Sequence, residues 1–211
     1  MSDSSAALGA GLRGRGVRLP RTARRKQLLG AAQEVFVSQG YHAAAMDEIA
    51  DRAGVSKPVL YQHFPGKLEL YVALLDQHHD QLVENVRHAL SATTDNKQRV
   101  RNTIAAYYDF VAGDGEAFRL VFESDLRNEP LVAERVDRTL QLCADAVAAT
   151  IAADTGLSAD EAHLMGIALG GLAEVSARYW LTTDQPMPRE RAIELVAGLA
   201  WRGIGGFPRT G

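Results

Sequence analysis

Residues Met46–Lys67 read MDEIADRAGVSKPVLYQHFPGK, a helix, a glycine-containing turn and a second helix by pattern. Met46, Ile49, Ala50 and Ala53 recur on one helical face, and Gly54 stands where a helix ends in a left-handed conformation. Val55 and Ser56 leave a tight turn. Ser56 is placed to cap the next helix, Pro58 is tolerated in its first turn, and Leu60, Tyr61 and Phe64 carry it to the breaker Pro65-Gly66. In a helix–turn–helix the first helix braces while the N-terminal part of the second enters the major groove, so the second must expose donors rather than acids. Lys57, Tyr61, Gln62 and His63 meet that demand, and Asp47, Glu48 and Asp51 stay on the bracing helix. An ordinary helical hairpin is the plainer reading of the same pattern.

Upstream, Leu28, Ala32, Val35 and Phe36 share a helical face until Gly40, which predicts a first helix from Thr22. Residues 1–20, rich in Gly, Ser and Arg, read as a flexible basic arm. Gly9, Gly11 and Gly14 spell GxGxxG there, but neither a strand nor a helix flanks them as a dinucleotide site requires. Downstream, Tyr71, Leu74, Leu75, His78, Leu82 and Val86 predict a long fourth helix, and Ile104, Tyr107, Tyr108 and Val111 a fifth. Phe118, Val121 and Phe122 predict a short sixth. Pro130 opens a seventh, Ser158 with Glu161 makes a capping box for an eighth, and Pro186 and Pro188 precede a ninth. The expectation is an all-α protein of about nine helices: an arm over 1–20, a three-helix helix-turn-helix domain over 21–67, and a larger helical ligand-binding and dimerisation domain over 68–211.

The 211 residues suffice for a substantial core, with 46% hydrophobic residues leaning on Ala and Leu. Net charge is −3, yet up to Leu68 ten basic residues face five acidic ones, so a head of +5 sits on a body of −8. That asymmetry draws phosphate to one end. The single Cys143 excludes an internal disulfide and a cysteine-rich zinc site, and the apolar runs are too short for a membrane span, so a cytoplasmic protein without membrane contact is expected. Asp76, His79 and Asp80 share a helical face but read better as a solvated surface than as metal ligands. No nucleophile elbow, HExxH or P-loop is present, so no enzyme, metal or cofactor is expected.

The stretch resembles the N-terminal domain of the TetR family of bacterial transcription regulators, with Gly40-Tyr41, Ile49-Ala50, Ala53-Gly54-Val55-Ser56, Leu60-Tyr61, His63-Phe64, Lys67 and Leu70 in register. The resemblance implies phosphate contacts by Ser56, Lys57, Tyr61, His63 and Lys67, with Lys57, Val59 and Gln62 facing base edges. The chemistry agrees: hydroxyls and lysines position a protein on the backbone, Gln reads adenine, and Val touches a thymine methyl. Two departures stand out. Ala44 and Ala45 occupy positions where relatives carry Thr, and Pro58 replaces a common Gly. Arg13, Arg15, Arg18 and Arg21 of the arm are candidates to compensate in a minor groove, with a tail of no role as the alternative.

In the eighth helix Gly166, Gly170, Ala173 and Ala177 form a small-residue stripe, and the ninth carries Leu195 and Leu199; these are the expected homodimer surfaces, with packing inside the protomer as the alternative. Tyr107, Phe110, Phe118, Phe122, Met165, Leu169 and Trp180 are candidates to line a pocket for an unknown small-molecule effector, or to be plain core. The resemblance implies a repressor that leaves a palindromic double-stranded DNA operator when the effector binds. A helical protein–protein interaction module that has lost specific DNA binding is the alternative.

Overall fold

The computed structural model describes residues 19–113, 126, 128–183 and 185–203. Among these are eight helices: α1 (Arg21–Ala43), α2 (Met46–Arg52), α3 (Lys57–His63), α4 (Lys67–Ser91), α5 (Asn96–Gly113), α6 (Pro130–Asp154), α7 (Ala159–Thr182) and α8 (Arg189–Arg202). The described residues contain no strand, as an Ala- and Leu-rich chain dictates. The short helix expected around Phe118 and Phe122, residues 1–18 of the arm and the tail beyond residue 203 lie outside the described residues.

Leu28, Ala32, Val35 and Phe36 form the buried stripe of α1, and Gly40 breaks the helix at φ 79°, a conformation that favours glycine. The expected stop is therefore a kink, followed by one further turn. Gly54, at φ 64°, ends α2 as expected and turns the chain toward α3. The long α4 belongs to both halves of the molecule. Its Tyr71 meets Phe36 and Tyr41 edge-on, each at 5.2 Å, whereas Leu82, Val86 and Leu90 enter the core of the body. Tyr71 thus joins α4 to α1 of the head through two aromatic contacts.

The body is a bundle in which α6 packs most extensively on α7, α4 on both α5 and α6, and α5 on α7 and α8. Pro130 starts α6 where no N–H is needed. Ser158 and Glu161 form the predicted capping box: the Ser158 amide donates to the Glu161 carboxylate at 2.8 Å, and these bonds hold the Glu161 carboxyl below its ordinary range.

At the α4–α6 contact His79 is 95% buried and its Nε2 has no hydrogen-bond partner among the described residues. Asp76 and Asp80 flank it on α4; Arg135, 3.0 Å from Asp76, and Arg138 face it from α6. Burial first, then His78 and Arg135, hold the imidazole down to about 4. Since its folded value lies below the ordinary 6.5, the unfolded chain takes up a proton that the folded protein refuses. Stability contributed by neutral His79 is full above pH 6.5 and is lost as pH falls toward 4, by roughly 2–3 kcal/mol. Urea midpoints at pH 6.5 and 4.5 should converge by that amount in His79→Leu; an unchanged pH slope would refute the assignment.

Candidate nucleic-acid interface and body cavity

The helix-turn-helix is clamped from below. Gln27 of α1 donates to the Ala53 carbonyl at 2.7 Å, Arg52 pairs with Glu34 at 2.9 Å, and Gln39 donates to Glu48 at 2.6 Å. Ile49, Ala50, Leu60 and Phe64 are buried against α1 and α4, so the remaining face of α3 points outward. On it Ser56, Lys57, Tyr61 and Gln62 are exposed, with Val59 and His63 half-buried beside them. The residues expected to contact DNA on α3 thus form one continuous surface of hydroxyls, amide and amine.

The cations that open α1 are placed against its helix dipole. Arg21, Arg24 and Arg25 occupy the opening of α1 with no acid in its first turn, where the positive end of a helix disfavours cations. Arg25 stacks 4.4 Å above the Phe64 ring, which seats this cationic end beside the C-terminus of α3. Burial, then Arg21, Arg25 and Arg24, push the His63 imidazole down. Phosphates placed against such a cluster would relieve its repulsion. In the sequence Arg24 and Arg25 count toward the basic head without a role at the DNA surface, and the structure places them beside α3.

Two expected roles change. The Ser56 side chain makes no capping bond to α3, so its hydroxyl is left to the outer surface. Lys67 is occupied: Nζ donates to the carbonyls of Tyr41, His42 and Ala44 at 2.8, 3.2 and 3.0 Å, and lies 4.5 Å from the Tyr41 ring. It caps the C-terminal end of α1, and all three of its protons are used there. Lys57 is also engaged, with Asp47 at 2.5 Å, but both partners are exposed and can exchange in water. Lys67→Met should lower stability by about 1–3 kcal/mol, readable as a fall in Tm. An unchanged Tm with weakened DNA binding would return Lys67 to a phosphate role.

In the body a cavity of about 340 Å³ lies between the ends of α4, α6 and α8 and the starts of α5 and α7. Met165 and Leu169, two of the expected pocket residues, line it with Leu90, Val100, Ile104 and Trp201. Its polar lining comes from Asn96, Arg99, Thr103, Thr150, Asp154 and Thr155. Thr103 is nearly buried and its hydroxyl has no partner among the described residues; Arg99 stands at the rim, bonded to the Leu90 and Thr93 carbonyls at 3.0 and 2.7 Å and to Asp154 at 2.5 Å.

Tyr107, Phe110 and Trp180 do not line this cavity; they are buried core. Burial raises the Tyr107 phenol, which shares a hydrogen bond with Cys143, and burial pushes the Cys143 thiol up to about 11. Trp180 donates to the Met187 carbonyl at 2.8 Å. Phe118 and Phe122 lie outside the described residues.

The small-residue stripe also faces inward. Gly166, Ala173 and Ala177 are buried in the protomer, and Gly170 leaves room beside the Tyr107 hydroxyl. The inner face of α7 needs small residues because α6 approaches it closely. Leu164, Ile167, Gly171, Val175 and Tyr179, three or four residues apart, instead form an outer apolar face, with the four large ones exposed. On α8 Leu199 is exposed and Leu195 half-buried, so these two remain candidates for a shared surface.

Comparison with known proteins agrees with the geometry. Residues 28–74 match the family described as bacterial regulatory proteins, tetR family. The chain is 52% identical over 201 residues, 95% of its length and 92% of the relative's, to the HTH-type transcriptional activator FasR of Mycolicibacterium smegmatis. It superposes on a TetR-like transcriptional regulator from Rhodococcus sp. RHA1 with a TM-score of 0.70 and 27% identity, covering 90% of this chain and all of the other. FadR from Bacillus subtilis in complex with stearoyl-CoA shares the fold at a TM-score of 0.71 and 22% identity, over 85% of this chain and 98% of that one.

Proposed function

Because the chain belongs to the TetR family of bacterial transcriptional regulators, we propose that it acts in the cytoplasm as a homodimer on a palindromic DNA operator. Lys57, Val59 and Gln62 read base edges, while Ser56, Tyr61, His63 and the arginines at the start of α1 grip phosphates. The observation that carries this reading is the exposed donor row of α3 continuing into an unshielded cationic helix end. It also speaks against an interaction module that has lost DNA binding, since such a module has no need of uncompensated cations there.

The outer apolar face of α7, with Leu199 of α8, supplies the dimer surface. A two-fold pairing through it would present two α3 helices to half-sites about one helical turn apart, roughly 34–36 Å. For the sign of regulation, the FasR relative supports activation over the repression expected from family habit. The effector site is the cavity at the α5 and α7 starts. Its mainly apolar walls suit a molecule with an apolar chain, and the stearoyl-CoA held by Bacillus subtilis FadR makes fatty acyl thioesters the first ligands to try. An effector that prefers the DNA-incompetent state by about 4 kcal/mol lowers operator affinity a thousandfold by linkage.

The test is selection of genomic fragments by the purified protein, footprinting of the best one, and transcription from it in vitro with and without acyl thioesters. The reading expects a palindromic footprint, transcription raised by the protein, and an operator affinity that falls with ligand. A Leu169→Trp variant, its cavity filled, should bind DNA yet ignore the ligand. Sequence-independent binding throughout would sink the operator reading; an unresponsive complex would sink only the effector assignment.

A further inference from the structure

Next to the apolar cavity, with Trp201 as a shared wall, a groove of about 540 Å³ runs between the start of α5 and the end of α8. It is unlike the rest of the body. Beyond Leu68 the chain carries a net −8, yet this groove gathers Lys97, Arg101, Arg191 and Arg202 against Glu194 as its one lining acid. Arg101 is paired with Glu190 at 2.8 Å and Arg191 with Glu194 at 3.4 Å, both at the surface, while Lys97 and Arg202 hold no acid among the described residues. Like charges collected on one concave surface repel each other unless an anion lies between them.

The second feature is aromatic. Of the two tryptophans, Trp180 is buried, whereas Trp201 is 47% exposed and faces the same groove as the cations. Gly198, one turn before it, leaves the floor without a side chain. A polyanion alone would have no use for an open indole, and an apolar partner none for four cations. A flat π-system joined to phosphates uses both: the ring stacks on indole, and phosphate oxygens take lysine and arginine donors. The volume lies in the range of small-molecule sites, about 300–1,000 Å³.

We propose that this groove binds a phosphorylated nucleotide, its base stacked on Trp201 and its phosphates among Lys97, Arg101 and Arg202. Two sources share that chemistry: a free nucleotide, and the nucleotide head of a conjugate whose apolar tail enters the adjoining cavity. The groove site stands without the effector reading, because its residues other than Trp201 do not line the cavity.

Trp201 reports on the site directly. Full-length protein is titrated at low salt with ADP, adenosine, pyrophosphate, polyglutamate and lauroyl-coenzyme A, following tryptophan emission and, independently, heat of binding. ADP should quench emission saturably, bind at least about tenfold more tightly than adenosine or pyrophosphate, and weaken about tenfold or more in a Lys97→Glu/Arg202→Glu variant whose Tm is unchanged. Lauroyl-coenzyme A binding more tightly than ADP, and falling to the ADP level in Leu169→Trp, would support the site with a conjugate as its ligand; equal affinity would support it with a free nucleotide. No response to ADP at millimolar concentration overturns the proposal. So does pyrophosphate binding as well as ADP, which leaves a polyanion site, or polyglutamate binding alone, which gives the groove to an acidic protein partner.

Discussion

Gly166→Ala should destabilise the body by about 3 kcal/mol. A Cβ there would stand 2.4 Å from the Ala144 carbonyl oxygen, 3.2 Å from its carbon and 3.3 Å from the Ala148 side chain. Two of these are backbone atoms of α6, so relief requires α6 and α7 to move apart along the most extensive contact in the molecule. Gly30→Ala is the counterpart. A Cβ at Gly30 meets nothing within 4 Å on the exposed side of α1, so the higher helix propensity of alanine should stabilise by about 0.5–1 kcal/mol. Urea midpoints of the two variants should therefore move in opposite directions. Equal shifts would mean that the α6–α7 approach is looser than drawn here.

Val175→Asp should convert the proposed dimer to monomers and cut operator affinity a hundredfold or more. Val175 is 51% exposed at the middle of the outer apolar face of α7, with Ile167, Gly171 and Tyr179 one and two turns away. A two-fold pairing through that face would bring the two carboxylates together in an apolar surrounding, where like charges are costly. Losing the link between two heads forfeits the gain of binding half-sites as one unit, typically 10²–10⁴. Leu131→Asp supplies the control, since Leu131 is 44% exposed but lies on a different helix, at the start of α6. Sedimentation should show monomers for the first and dimers for the second. Dimers in both would move the interface elsewhere, toward Leu195 and Leu199 on α8 alone.

The parts of this protein that could be read from sequence are those set by local chemistry. Gly54 and Pro65-Gly66 punctuate α2 and α3, and a left-handed residue or a missing N–H acts within a few positions of itself. The Ser158–Glu161 box is local in the same sense. What escaped reading depends on partners far along the chain. Lys67 has the charge of a phosphate ligand, but its carbonyl partners lie 23 to 26 residues earlier, at the end of a helix whose kink brings them within reach. Ala44, which looks in sequence like a lost hydroxyl contact, is buried and lends Lys67 its carbonyl.

Helix α7 shows a second limit. It is apolar on two faces, one of small residues and one of large, and periodicity alone does not say which of them meets the protomer's own core. Close approach to α6 selects the small one, which frees Leu164, Ile167, Val175 and Tyr179 for a partner. The cavity was missed in part for a related reason. Tyr107, Phe110 and Trp180 are large enough to fill space, and they do fill it; Met165 and Leu169 were found, whereas Arg99, Thr103 and Trp201 carry no motif.

A salt titration of operator binding separates base reading by α3 from phosphate holding by the surrounding cations. Wild type, Gln62→Ala and Arg25→Ala are each titrated with the selected palindrome and with a single-base mismatch. The account predicts a steep negative salt slope for wild type, about −0.9 per phosphate neutralised. Gln62→Ala should keep that slope and lose about 1–3 kcal/mol of discrimination against the mismatch, while Arg25→Ala should keep discrimination with a shallower slope. Equal losses of slope and discrimination in both variants would contradict the division of labour on which the account rests.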